Sequence, residues 1–374
     1  MTLVLLAAWP ATASAVLVRN YAAWSVGGAA NAFTGTLDLG VHGFPDARFS
    51  SNARVFTTAR SATLTSATPF GAAFGTSSGR QYASIGATFG NVGPTSTTFT
   101  FDAPTPASGW GLALGDLDAE SVRISATGVD GAPVAVDDLG FAGVFNSVSG
   151  GTDLPDWDAA TGTLAGNPCP AAPAPPDCDT DGATGWFRPG VPLRSLTLHF
   201  SVQDGAPRYQ LWFAANSTAV RGTFSHVVST ELPTPSATVQ LLDGDGAVVA
   251  ELIADGPTFT FPPVPAGPDY RVEVLVPEGW HNTAPTVASV STATGDPAPV
   301  AIHLEPMPPA TTTLPTTSTV PDRPVIVQPD AIERPDRSSS GRGAHPAPNP
   351  PGPTVGGAAL GAGDRAPRTL RFTG

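Results

Sequence analysis

The fold class this sequence predicts is all-β, and three observations predict it. Glycine and proline each occur 41 times in 374 residues, too often for many long helices, because both interrupt the helical backbone. Apolar and polar residues alternate over short stretches, the period of a strand with one buried face. Clusters of Gly, Pro, Asp and Ser separate those stretches as turns do.

The first element, residues 1–15, reads as a signal peptide. Leu3 to Trp9 is an apolar run, and Ala13, Ser14 and Ala15 give the small-x-small pattern that a signal peptidase cleaves. No Lys or Arg precedes the run, so the true start is expected further upstream. A buried first strand is the competing reading.

Residues 16–216 read as a single jelly-roll-like β-sandwich head. Phe99 and Phe101 fall on one face of a strand, and Trp110, Leu112 and Leu114 share a face of another. Leu196, Leu198, Phe200 and Val202 alternate with Ser195, Thr197, His199 and Ser201, so one side faces a core and the other water. Two hundred residues of this pattern are enough for a two-sheet core. Within this stretch lie the chain's two cysteines, Cys169 and Cys178. In an exported chain they are expected to pair, closing a short loop worth about 2.5 to 3 kcal/mol by chain entropy.

A second unit spans about 219–305. Val220 to Val227, Val239 to Leu242, Ala247 to Ile253, Thr258 to Phe261 and Tyr270 to Val276 form a tight strand series, and Asp243 to Gly246 is a hairpin signal. Two segments, Ala237 to Gly246 and Phe259 to Gly267 running into Asp269, Tyr270, Arg271 and Val272, resemble the prealbumin-like (Ig-like) B domains of Gram-positive adhesins, the SdrD B-like and Cna B-type group. The resemblance covers under a quarter of the chain and implies a spacer role. The family's Thr-Asp-x-x-Gly-x-Tyr step is shortened here to Ala254 through Phe259, so the calcium binding of some members does not carry over. The head resembles a module that precedes such repeats in predicted surface proteins, through Gly115 to Asp118, Gly185 to Phe187 and Tyr209 to Phe213. That likeness implies no chemistry.

From Pro306 to residue 369 the sequence is Pro/Thr/Gly-rich, with too few apolar residues to build a core, and reads as a disordered stalk. In polyproline II form, at about 3.1 Å per residue, it would reach on the order of 200 Å, enough to cross a thick cell wall. The final residues, Leu370 to Gly374, match Leu-x-x-Thr-Gly through Leu370, Thr373 and Gly374. They resemble the sorting signals of Gram-positive surface proteins, with Arg371 at the usual Pro or Ala position. The resemblance implies sortase and cell-wall peptidoglycan as partners and an extracellular, wall-attached location. An apolar span and basic residues are expected beyond Gly374.

Charge narrows the function. The net charge is −13, and residues 306–374 hold seven Arg against five acids, which leaves −15 on the first 305 residues. Nucleic acid is therefore not an expected partner. Every basic residue is Arg. Without lysine the chain can form neither the Lys-Asn isopeptide staple of many related domains nor a pilin polymer through its own side chains, and a monomer is expected.

Four groups of residues are candidates for chemistry. Gly75 to Gly79 fits Gly-x-Ser-x-Gly, with Ser77 as the nucleophile of an exported hydrolase, but that mechanism needs a strand-to-helix turn and no helix is expected after it. A plain loop is favoured, and no enzyme is expected. Asp177, Asp179 and Asp181, followed by Gly182, open like a calcium loop, although the twelfth position is Arg188 where an EF-hand needs Glu. Asp116 and Asp118 are placed on one strand face and form a second calcium candidate. In both cases an ordinary acidic turn is the competing reading. Trp157 and Trp186 flank the cysteine loop and offer a stacking platform for a sugar, with core packing as the alternative. His42, His199, His226, His281, His303 and His345 lack metal-ligand spacing and read as structural. The chain therefore reads as an exported, wall-attached adhesive protein whose head binds a glycan or extracellular protein, or as a structural envelope protein without a small ligand.

Overall fold

A computed structural model of the chain describes residues 17–61, 63–88, 93–148, 151–167, 182–228, 232–292 and 297–308. The leader, Cys169, Cys178, Asp177, Asp179, Asp181, most of the stalk, and Leu370, Thr373 and Gly374 lie outside the described residues.

The architecture is all-β. In chain order the head strands are β1 (Val18–Tyr21), β2 (Ala23–Ala29), β3 (Ala32–Asp38), β4 (Ala47–Ser51), β5 (Val55–Ser61), β6 (Arg80–Gly86), β7 (Thr95–Phe101) and β8 (Trp110–Gly115). They continue with β9 (Glu120–Thr127), β10 (Phe141–Asn146), β11 (Asp156–Asp158), β12 (Thr163–Ala165), β13 (Ala183–Phe187), β14 (Ser195–Val202) and β15 (Arg208–Thr218). One short helix, α1 (Pro69–Phe74), precedes β6. The second sandwich holds β16 (Arg221–His226), β17 (Ala237–Leu242), β18 (Val248–Ala254), β19 (Thr258–Thr260), β21 (Asp269–Leu275), β22 (Trp280–Asn282), β23 (Val287–Ser291) and β24 (Val300–Pro306), and between β19 and β21 the short β20 (Val264–Pro265) pairs with the head.

Two eight-stranded sheets make the head. The first runs β10-β13-β8-β15-β6-β5, with β1 and β20 also paired to β15; the second runs β11-β12-β9-β14-β7-β4-β3-β2. Alternation along each strand decides what lies between them. On β15, Tyr209, Leu211, Phe213 and Ala215 join Trp110, Leu112 and Leu114 of β8 and Phe99, Leu198 and Phe200 of the other sheet in one core. Trp110 lies parallel to Phe213 with ring centroids 6.3 Å apart, and Trp24 packs its edge against Phe49, Phe99 and Phe213. Each such fully buried side chain contributes roughly 1.5 to 3 kcal/mol of transfer free energy, the main source of the head's stability.

The opposite side of the first sheet is also apolar. Trp212 and Ala214 of β15, Ala113 of β8 and Trp186 of β13 point away from the main core, and the segment carrying Leu64, Phe70 and Phe74 covers them. Sequence alternation predicted only two layers. The third arises because β15 and β8 are apolar on both faces, and α1 is capped by Thr68, whose side-chain oxygen accepts from the Gly71 N–H at 3.2 Å.

The second sandwich pairs a β19-β16-β24-β22 sheet with a β18-β17-β21-β23 sheet around Val239, Leu241, Phe261, Tyr270, Val272 and Leu304. It is not strung on a free linker. Strand β15 continues to Thr218, and its Ser217 and Thr218 pair with Pro265 and Val264 of β20. Asn216 O accepts from the Ala266 N–H at 2.8 Å, and His42 Nε2 lies 2.8 Å from Val249 O. Both sandwiches fall within one compact unit.

Candidate functional site

The central strands of the second head sheet carry mostly hydroxyls on their outer face, interrupted by Arg48, Arg123 and His199. Strand register aligns Ser125 of β9, Thr197 of β14, Thr98 of β7, Ser50 of β4 and Thr34 of β3 in one row across five adjacent strands. The next row reads Thr127, Ser195, Thr100, Arg48, Thr36 and Ser25. Neighbouring strands stand about 4.8 Å apart, and same-face residues about 6.8 Å along a strand, so the hydroxyls form a regular grid. Several bond to one another: Thr98 Oγ1 lies 3.0 Å from Thr197 Oγ1, and Thr127 Oγ1 lies 2.7 Å from Ser195 Oγ. Each hydroxyl keeps further donor or acceptor capacity for a ligand.

At one end of this face a third row runs Asp158, Thr163, Arg123, His199 and Ser96. An open cleft of about 470 Å³ is lined there by Ser96, Ser121, Arg123, Thr163, His199 and Ser201, among others. Ser96 Oγ lies 3.2 Å from His199 Nδ1 and Ser125 Oγ lies 3.0 Å from Nε2, so the imidazole is held from both sides. Burial, and then the Arg123 charge, hold its pKa below the ordinary histidine value. At neutral pH it is therefore uncharged, donating from one nitrogen and accepting at the other.

The aspartates at the end of β8 lie elsewhere. Asp116 sits in a left-handed turn at φ 60, not on a strand, and its Oδ2 accepts from Gln210 Nε2 at 3.1 Å. With Asp118, Glu120 and Asp204 it lines a cleft of about 390 Å³. Glu120 is fully buried; its Oε2 accepts the Ala119 N–H at 3.0 Å, and Oε1 has no hydrogen-bond partner. Burial first, and the Asp118 carboxylate next, push its acid up to about 8. Among the described residues no group of three or more His, Cys, Asp or Glu side chains is arranged to hold a metal ion. Repulsion among these carboxylates is relieved by a proton on Glu120.

Trp157 and Trp186 do not form one platform. Trp157, half-buried, lies parallel to Phe141 at 4.8 Å and edge-on to Phe187 at the margin of the main core. Trp186 points to the other side of β13, where it meets Phe70 edge-to-face at 5.9 Å. Consecutive residues of one strand face opposite ways, so Phe187 joining Trp157 sends Trp186 away from it. Ser77 is fully buried, its Oγ accepting the Leu64 N–H at 3.1 Å, and the segment after it is β6. It staples a loop. Of the histidines, His281 and His303 flank Glu305 at 3.8 and 3.7 Å on the exposed surface of the second sandwich.

No family model matches the chain, and no curated protein matches it. Solved structures similar to it include a bacterial adhesin from Mobiluncus mulieris with intramolecular disulfide, isopeptide and ester cross-links. That adhesin is 10% identical, with 60% of this chain and 90% of that chain covered and a TM-score of 0.21. A second crystal form of the adhesin gives 8% identity and 0.18. The β-glucuronidase of Ruminococcus gnavus is 10% identical, with 54% of this chain but 36% of that chain covered and a TM-score of 0.16. No helix among the described residues is long and apolar enough to cross a membrane.

The sequence signalled one strand of the hydroxyl face, β14, but not the rows, which depend on register between strands far apart in the chain. Calcium can still be assigned to one acidic cluster or excluded from both. Adding calcium to an Asp177→Asn, Asp179→Asn, Asp181→Asn variant of the full chain is expected to leave its melting temperature at the EDTA value. A rise retained in that variant and lost on Asp116→Asn, Asp118→Asn would return the ion to the cleft.

Proposed function

We propose that the chain is an exported, wall-attached adhesive protein whose head binds a hydroxyl-rich polymer, a glycan, on the outer face of its second sheet. The observation that carries this reading is the row of Ser125, Thr197, Thr98, Ser50 and Thr34, one hydroxyl per strand over five strands. Solubility alone would be served by charge, yet charged residues are few on this face: Arg48 and Arg123 interrupt the rows, Asp38 ends β3, and Asp156 and Asp158 lie on the edge strand β11. A grid of neutral donors and acceptors suits sugar hydroxyls, which also act as both. Sortase and peptidoglycan are the partners the terminal motif implies, and the second sandwich holds the head in a fixed orientation.

The test is binding of the full chain to an array of neutral and acidic glycans and matrix proteins, with Thr98→Val and Thr197→Val made together. These near-isosteric changes remove two central hydroxyls and are expected to lower glycan binding at least tenfold. Unchanged binding would remove the face as the site. Absence of binding to any glycan or matrix protein would favour the structural envelope role, which the strand-paired junction between the sandwiches also suits.

A further inference from the structure

We propose that the cleft around Arg123 and His199 receives one oxyanion group of an acidic glycan, a carboxylate or sulfate on a sugar ring. This deepens the glycan reading and rests on it. Arg123 is the one cation among the residues that line the cleft. Among the described residues it forms no ion pair, although the chain carries a net charge of −13. Asp158, the carboxylate in its row, stands two strands away across Thr163 and is committed to the Ala160 N–H at 2.9 Å and the Thr161 hydroxyl at 2.6 Å. The guanidinium is therefore left to face solvent beside hydroxyl donors, a combination that matches an oxyanion.

The surroundings fit such a group. Ser121 and Ser201 stand opposite each other across β9 and β14, one step from the Arg123–His199 pair. Ser96 and Ser125 fix the imidazole by both nitrogens, so it presents its face and hydrogen-bonded edges in one orientation. Because the site has one cation within an acidic protein, it suits one anionic substituent. Nucleic acid and anionic membrane surfaces bind through arrays of cations, which this face does not carry. The cleft also continues the hydroxyl rows, so the rest of the sugar chain would lie along them.

The experiment titrates the full chain, by calorimetry at low and moderate salt, with three size-matched oligosaccharides: neutral, uronate-bearing and sulfated. The acidic ligands are expected to bind at least tenfold more tightly than the neutral one at low salt. Arg123→Gln is expected to erase that preference, bringing the affinity for the acidic ligands down to that for the neutral one. Arg123 is exposed, so its replacement is not expected to alter folding, which thermal melting checks. Preference for the uronate or for the sulfate each supports the site and tells which oxyanion it takes. Equal binding of all three, or a preference that survives Arg123→Gln, overturns this inference and leaves the glycan reading standing. Failure to bind any of them counts against both.

Discussion

Replacing Glu120 with Gln is expected to leave stability near pH 4 almost unchanged and to raise it strongly above pH 8. The reason is where the proton sits. Folded Glu120 releases its proton at about 8, against an ordinary value of 4.5, because the carboxyl is buried and lies beside Asp118. Below 4.5 both folded and unfolded chains hold the proton, and the group contributes nothing to the pH dependence. Between 4.5 and 8 only the folded chain holds it, so stability falls as pH rises, by about 1.4 kcal/mol per pH unit. Above 8 the folded chain carries a buried carboxylate with one oxygen unpartnered, and the loss stays constant at roughly 3 to 5 kcal/mol. Glutamine keeps an acceptor for the Ala119 N–H and has no charge to bury. Urea unfolding from pH 4 to 9, taken as the difference between variant and parent, cancels the histidines and isolates this group. Parallel curves would show that Glu120 ionises normally and that the carboxylate cleft is open to water.

How much of this was legible in the sequence depended on distance along the chain. The alternation of Leu196, Leu198 and Phe200 with Thr197 and His199 gives β14 and its two faces directly, since both facts are local. The strands of the second sandwich that carry turn signals, such as β17 and β18 around Asp243 to Gly246, were legible for the same reason. The late strands β22, β23 and β24 were not, because Trp280–Asn282 is too short to show a period and β24 pairs in parallel with β16, the first strand of the sandwich and far from it in the chain. The hydroxyl rows needed the register of β9, β14, β7, β4 and β3, which no single stretch contains. Glu120 was passed over because it follows a polar turn, where a carboxylate normally stays in water; it is buried because the alternation of β9 puts it on the face of Val122 and Ile124. Nearness to the cysteine loop pairs Trp186 with Trp157 in the sequence, whereas strand direction decides which way an indole points.

Gly109→Ala is expected to uncouple the two sandwiches without unfolding either one. Gly109 lies at φ +84, and a Cβ placed on it would stand 1.8 Å from Ala266 O, a backbone atom of the second sandwich. Its own carbonyl accepts from the Asn216 N–H at 2.9 Å, while Asn216 O accepts from the Ala266 N–H at 2.8 Å. One methyl group therefore forces apart the strand ends that carry the junction. The left-handed backbone adds ~1 kcal/mol for a residue with a Cβ, and the collision must be relieved by moving Ala266 away, which gives up the Asn216 bond and the pairing of Ser217 and Thr218 with β20. The seam borders both cores, since Trp110 follows Gly109 and Val264 of β20 is buried in the second core. Most of each core, such as Phe99 and Phe200 in one sandwich and Val239 and Tyr270 in the other, does not include a seam residue, so each sandwich keeps most of its own stabilisation. Calorimetry of the parent chain is expected to show one transition, because the sandwiches share strand pairing; the variant is expected to show two, the lower one displaced by several degrees. Gly205→Ala is the control, since Gly205 is also left-handed, at φ +61, but has nothing within 4 Å of the added methyl. It carries the backbone strain without the collision. If Gly109→Ala melts like Gly205→Ala, in one transition, the seam absorbs the methyl and the close approach of Gly109 to Ala266 is not what couples the sandwiches; two transitions in the parent itself would show that the junction is a loose contact.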